Sequence, residues 1–219
     1  MNDVQAKSER RSTRTATAVR HQDLHDRLLD TAEYTIATEG LAHLRARTLA
    51  ETVGCSVGAI YGVFADLDTL ILAVNARTLD AMTEALHAAA AAAPGEAPQG
   101  AIDRLLQLAQ AYLDYAVANR ARWMALFQHR LPPGRPLTEA YAARQAVAFS
   151  QIEGPLADLR PDLTESARAL LARTIFSAVH GMVQLGLDEK VAQMNLAVLA
   201  AQIRIVVKAM ATGLQAAAG

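Results

Sequence analysis

Between Arg47 and Phe64, two short apolar patterns flank the tripeptide Gly54-Cys55-Ser56, and few folds accept that arrangement. Leu49, Ala50 and Val53 precede the break at helical spacing, and Ile60 and Phe64 follow it at the same spacing. Gly54 supplies the residue that tolerates positive φ, and Ser56 is placed to cap a new helix. The stretch reads as helix, three-residue turn, helix. Small Ala50 lets the two helices cross closely, so the second projects its N-terminal end outward.

The flanking sequence extends this unit. Leu24, Leu28, Ala32 and Ile36 form one stripe on a helix expected over about Asp23–Thr38 and closed by Gly40. The next two helices are expected over about Ala46–Val53 and Val57–Phe64. Asp66 is placed to cap a long fourth helix reaching about Ala93, and Pro94 to Pro98 breaks the chain. A fifth helix is expected over about 101–118, with Asn119 capping a sixth. Pro132 to Pro136 is a loop. Residues 137–159 read as a helix kinked or split at Gly154-Pro155, and two apolar helices follow over about 164–187 and 194–214. Strand-like alternation is absent, so the expected fold is all-α with about nine helices. The expected division is a polar, basic, unstructured arm at 1–20, a three-helix unit at 21–65 and a helical bundle at 66–219.

Hydrophobic residues make up 52% of the 219 and charged residues 20%, enough for a sizeable core. A net charge of −1 means that any nucleic-acid binding must come from a local surface. The single Cys55 excludes an intrachain disulfide. No export signal or continuous apolar run of spanning length is evident, so a soluble cytoplasmic protein without membrane contact is expected.

Leu49-Ala50, Gly54-Cys55-Ser56, Ile60-Tyr61, Phe64 and Leu70 together resemble the TetR family of bacterial regulators, over about Leu24 to Val74. Trp123 and His180-Gly181 resemble a TetR-type C-terminal subgroup more weakly. The resemblance implies a homodimer that binds two-fold related operator half-sites and releases them when a small-molecule effector binds, as a repressor does. It places Arg47 at a base or phosphate contact, Val57, Gly58 and Ala59 at the exposed start of the recognition helix, and Tyr61 at a phosphate. The sequence departs from the family at Val57, often polar there, at Val63, often histidine, and at Leu67, often lysine. With so few hydrogen-bonding groups on the recognition helix, sequence preference falls to Arg45, Arg47, methyl contacts and DNA shape. Phosphate anchoring falls to Thr48, Ser56, Tyr61 and the basic arm.

Each assignment has a plainer counterpart. Tyr61 packs between helices, Arg45 and Arg47 are solvated charges, the arm is a solvated tail, and Cys55 is core rather than a redox thiol. His180 is either a hydrogen-bonded core residue or a ligand contact. In the body, Met82, Leu86, Tyr112, Trp123, Phe127, Phe149 and His180 are the candidate cavity residues, for an effector with apolar surface. Ile175, Val179, Met182, Val183, Leu199, Ile203 and Val206 are the candidate dimer contacts, because the last two helices carry more apolar surface than one body buries. No phosphate loop, nucleophile elbow or metal spacing stands out, so neither an enzyme nor a cofactor or metal is expected; His21 and His25 are a weak pair. The alternative function is a helical small-molecule carrier that does not bind DNA.

Overall fold

The computed structural model describes residues 2–92, 99–188 and 195–217, and among these it is entirely helical. Helix α1 spans Asn2–Glu39, a 3-10 turn follows at Leu41–His43, and α2 (Ala46–Val53) and α3 (Val57–Val63) come next. The body is built from α4 (Leu67–Ala91), α5 (Gln99–Ala118), α6 (Arg120–Gln128), α7 (Glu139–Leu159), α8 (Glu165–Gly186) and α9 (Leu196–Ala216). The expected chain break at Pro94–Pro98 and the expected start of the last helix at Met194 lie outside the described residues.

Local chemistry sets most boundaries. Gly54 ends α2 in the left-handed region at φ 75°, ψ 41°. The Ser56 hydroxyl caps α3 by accepting from the Ala59 N–H at 3.1 Å. Asp66, Thr138, Thr164 and Asn195 cap α4, α7, α8 and α9 in the same way.

Three expectations are corrected. The stretch up to Arg20 is helical from Asn2, since no glycine or proline precedes Gly40 to interrupt a helix already held by its packed half. Asn119 occupies the residue before α6 but its side chain does not cap; it accepts from Arg122 and donates to the Tyr115 carbonyl at 3.2 Å. Helix α7 runs unsplit through Pro155, which is buried and costs one backbone hydrogen bond near the helix end.

Two cores form. In the head, Leu28, Ala32 and Ile36 of α1 pack with Leu49, Ala50, Val53, Ile60 and Phe64. Leu70, Ile71 and Val74 from the start of α4 and Ala125 from α6 complete that core. Cys55 packs against its edge. In the body, the later part of α4 joins α5 through α9 around Trp123, Leu156, Val183, Leu199 and Val207. Helix α4 is therefore shared by both cores.

Five of the seven expected dimer contacts are already used inside the chain. Ile175, Val179, Val183, Leu199 and Ile203 are buried in the body core, and only Met182 and Val206 are partly open. Periodicity marked the apolar face, and that face is the one turned into the body; the exposed face of α9 mixes Val198, Ala201 and Ile205 with Gln202, Arg204 and Lys208. The large apolar side chains left exposed on these two helices are instead Leu170 and Leu185 on α8 and Leu196, Val198 and Ile205 on α9. Helix α9 is also long and apolar enough, by length and composition, to cross a membrane. Arg204 and Lys208 interrupt the run, so no continuous apolar span stands out in the sequence there.

Candidate functional site

Two features separate cleanly: an exposed face on the head and a cavity in the body. On the head, Arg45, Arg47, Thr48, Ser56, Val57, Gly58 and Tyr61 are all exposed, and Ala59 is half-buried. They lie on α2 and the residue before it, on the turn, and along α3 as far as Tyr61. Arg47 pairs with Glu51 one turn along at 3.3 Å, but its side chain stays 88% exposed. Such a pair is worth little and releases the guanidinium readily. Helix α3 carries no charged side chain. The α1–α2 contact is locked by the Arg27 guanidinium, which donates to the Val53 carbonyl, and His25 stacks on Phe64 at 4.7 Å. His21 meets the Gly62 carbonyl at 3.3 Å, so the two histidines brace the head from α1.

The cavity has a volume of about 190 Å³ and is walled by α4 through α9. Met82, Leu86, Tyr112, Phe127 and Phe149 line it, as expected from sequence. Trp123 and His180 do not; they stand behind the wall. The Trp123 Nε1–H donates to the Tyr112 hydroxyl at 2.9 Å, and that hydroxyl lies 2.8 Å from His180 Nδ1. Indole nitrogen only donates, so the tyrosine accepts from Trp123 and passes its own proton toward the imidazole. Burial keeps the Tyr112 phenol protonated and pushes the His180 pKa down, so the imidazole is neutral. His180 also contacts Phe127 and Phe176, with ring centroids 4.1 and 5.4 Å away. The chain of hydrogen bonds thus stiffens one wall.

Sequence reasoning missed Tyr141, Gln145, Ile152 and Phe176 in that lining, and it assigned Ile175 and Val179 to the dimer face. The recoverable signal was the Tyr141–Gln145 pair, four residues apart on one face of an alanine-rich helix.

Head and body meet through α4 and α6. Arg135, in the loop after α6, donates to Asp66 at 2.5 Å and to the Thr69 hydroxyl at 3.0 Å. These contacts, Arg135 first, pull the Asp66 carboxyl down to about 2. His129 reaches Asp68 at 2.9 Å. On the other side of α6, Arg122 pairs with Glu33 of α1 at 2.7 Å, and Arg77 of α4 joins Glu33 and Asp30 at 3.0 and 2.6 Å. Leu126 and Phe127 of this same short helix line the cavity.

Residues 105–210 match the family model described as the tetracyclin repressor-like C-terminal domain. Among curated proteins none matches the sequence. Solved structures show the same fold. A protein of unknown function from Rhodococcus sp. RHA1 aligns at TM-score 0.67 and 22% identity, over 85% of this chain and 94% of its own. A tetR-family transcriptional regulator from Streptomyces coelicolor aligns at 0.62 and 20%, over 90% and 84%. The multidrug binding protein EbrR, complexed with imidazole, aligns at 0.57 and 19%, over 87% and 93%.

Proposed function

We propose that this chain, a member of the TetR family through its body at residues 105–210, is a DNA-binding transcriptional repressor released from its operator by a small molecule. One observation carries the reading. An exposed helix-turn-helix face is joined, without a linker, to the wall of an apolar cavity by α4 and α6. That EbrR holds a small molecule on the same fold supports a ligand for the cavity.

The mechanism follows from the shared elements. Helix α4 is roughly 37 Å long at 1.5 Å per residue. It packs Leu70 and Val74 into the head core and presents Met82 and Leu86 to the cavity. Helix α6 presents Phe127 to the cavity, while Arg122 holds Glu33 of α1. A ligand that displaces these walls tilts the head. Two heads on one dimer must sit about 34–36 Å apart to enter successive major grooves, so a small tilt ends binding. The ligand must prefer the tilted state, since equal affinity shifts nothing. The dimer itself is supported by the large apolar side chains that α8 and α9 leave exposed, Leu170, Leu185, Leu196, Val198 and Ile205.

On DNA, Arg45 and Arg47 take base or phosphate contacts, Val57, Gly58 and Ala59 meet the groove floor, and Thr48, Ser56 and Tyr61 hold phosphates. The test is anisotropy with a duplex selected from genomic fragments. Arg47→Ala weakens binding by about 1–3 kcal/mol if it reads a base, and relaxes preference at one position per half-site. Tyr61→Phe weakens all duplexes evenly. Wild-type affinity in both variants refutes the placement of the reading face. The carrier alternative draws on the uncharged surface of α3; it predicts ligand binding with no duplex selected at all.

A further inference from the structure

We propose that the cavity takes an uncharged, mainly aromatic molecule bearing one hydrogen-bonding group, and that Tyr141 and Gln145 recognise that group. The inference rests on the regulator reading only in calling the occupant an effector; the binding chemistry stands on the walls alone. None of the lining residues is Asp, Glu, Lys or Arg. A cation or anion entering this space gives up part of its hydration without a counter-charge on the wall, a cost in apolar surroundings; the Arg173 guanidinium nearby is stacked on the Phe149 ring, 4.8 Å from its centroid, and does not line the space. The imidazole behind the wall offers no charge either, because burial keeps His180 neutral.

The surface that remains is aromatic. Phe149 meets Phe176 edge to face at 5.4 Å, and Phe127 stands 6.4 Å from Phe176. Tyr112 adds a fourth ring, its hydroxyl already committed to Trp123 and His180. Rings fixed at these angles favour another ring between or against them. Polar recognition is confined to α7. Tyr141 and Gln145 lie one turn apart on one helix face, both line the cavity, and no hydrogen bond engages either side chain among the described residues. Burial raises the Tyr141 pKa, so its hydroxyl remains a donor. Gln145 offers both a donor and an acceptor. Together they suit an amide, a hydroxyl or a carbonyl, held at one edge while the ring fills the apolar remainder.

Isothermal titration calorimetry of the full-length protein tests this with 1-naphthylacetamide, 1-naphthylacetate, 1-naphthylmethylammonium and toluene. The amide is expected to bind at least about tenfold tighter than either ion. Tyr141→Phe and Gln145→Leu each weaken the amide by about 3–10-fold, the worth of one hydrogen bond. Both leave toluene binding unchanged, which shows that the cavity is intact. The proposal is overturned if an ion binds as tightly as the amide, if neither variant affects the amide, if toluene is weakened equally, or if no probe binds. The same samples titrated with the selected duplex separate the two readings. Correct probe ranking without duplex binding sinks the regulator alone, and an inverted ranking with intact duplex binding sinks the ligand class alone.

Discussion

Replacing Gly186 with alanine probes a tight contact between α8 and α9. A Cβ built at this position lies 2.5 Å from Leu199 Cδ1, 2.7 Å from Cδ2 and 3.1 Å from Cγ. Apolar carbons rest at about 3.5–4.0 Å, so roughly 1 Å of room must be made. Leu199 is only 1% exposed and packed among body-core residues, which leaves its methyls little space to rotate into. Overpacking of this kind costs about 1–3 kcal/mol. The helical gain of alanine over glycine, at most about 0.5–1 kcal/mol in a helix interior, is smaller at the last residue of α8. A net loss of about 1–2 kcal/mol is expected. Leu199→Ala alone costs about 2–5 kcal/mol through its cavity. In the double variant the new methyl enters the space that Leu199 vacates, so the two losses fall short of their sum by about 1 kcal/mol or more. Urea unfolding at one fixed protein concentration, followed by Trp123 fluorescence, measures all four corners of the cycle. Additivity within about 0.5 kcal/mol, or a neutral Gly186→Ala, refutes the packing argument.

The buried imidazole gives a pH signature. Unfolded His180 takes a proton below about 6.5 that the folded chain refuses, so stability falls as pH drops through that value. His180→Gln flattens the fall that begins as pH drops through about 6.5 in urea midpoints; an unchanged slope removes His180 as its source. Asp66 acts in the opposite range. Its depressed pKa contributes stability that is present above 3.8 and lost as pH falls toward about 2. Arg135→Ala is therefore destabilising at pH 5, and the gap to wild type narrows toward pH 2; a constant gap counts against the ion pair. Ile205→Asp, at an exposed position of α9, is expected to give a folded monomer by light scattering with monomer stability changed by less than about 0.5 kcal/mol. A persisting dimer places the interface elsewhere.

The helix-turn-helix head was legible because its punctuation is local. Gly54 must be left-handed where it stands, and Ser56 and Asp66 cap the helices that begin beside them. Nothing beyond a few neighbours enters those decisions. The body was legible as helices but not as an arrangement. Apolar periodicity says that Ile203 lies on a greasy face; only tertiary packing says that this face meets α5 and α8 rather than a second chain. The same limit applies to Trp123 and His180, which are aromatic residues near the cavity that support its wall. Phe176 escaped for the converse reason, since its spacing matches the core residues around it.

The blankness of α3 has an evolutionary consequence. Val57, Gly58 and Ala59 support no packing that the head depends on, and a Cβ at Gly58 meets nothing closer than the Ser56 hydroxyl at 3.8 Å. Side chains added there alter what the helix meets without disturbing the fold beneath it. If α3 reads DNA as proposed, preference for a new operator is acquired by addition, one substitution at a time, because α3 carries no charged side chain whose contact must first be surrendered.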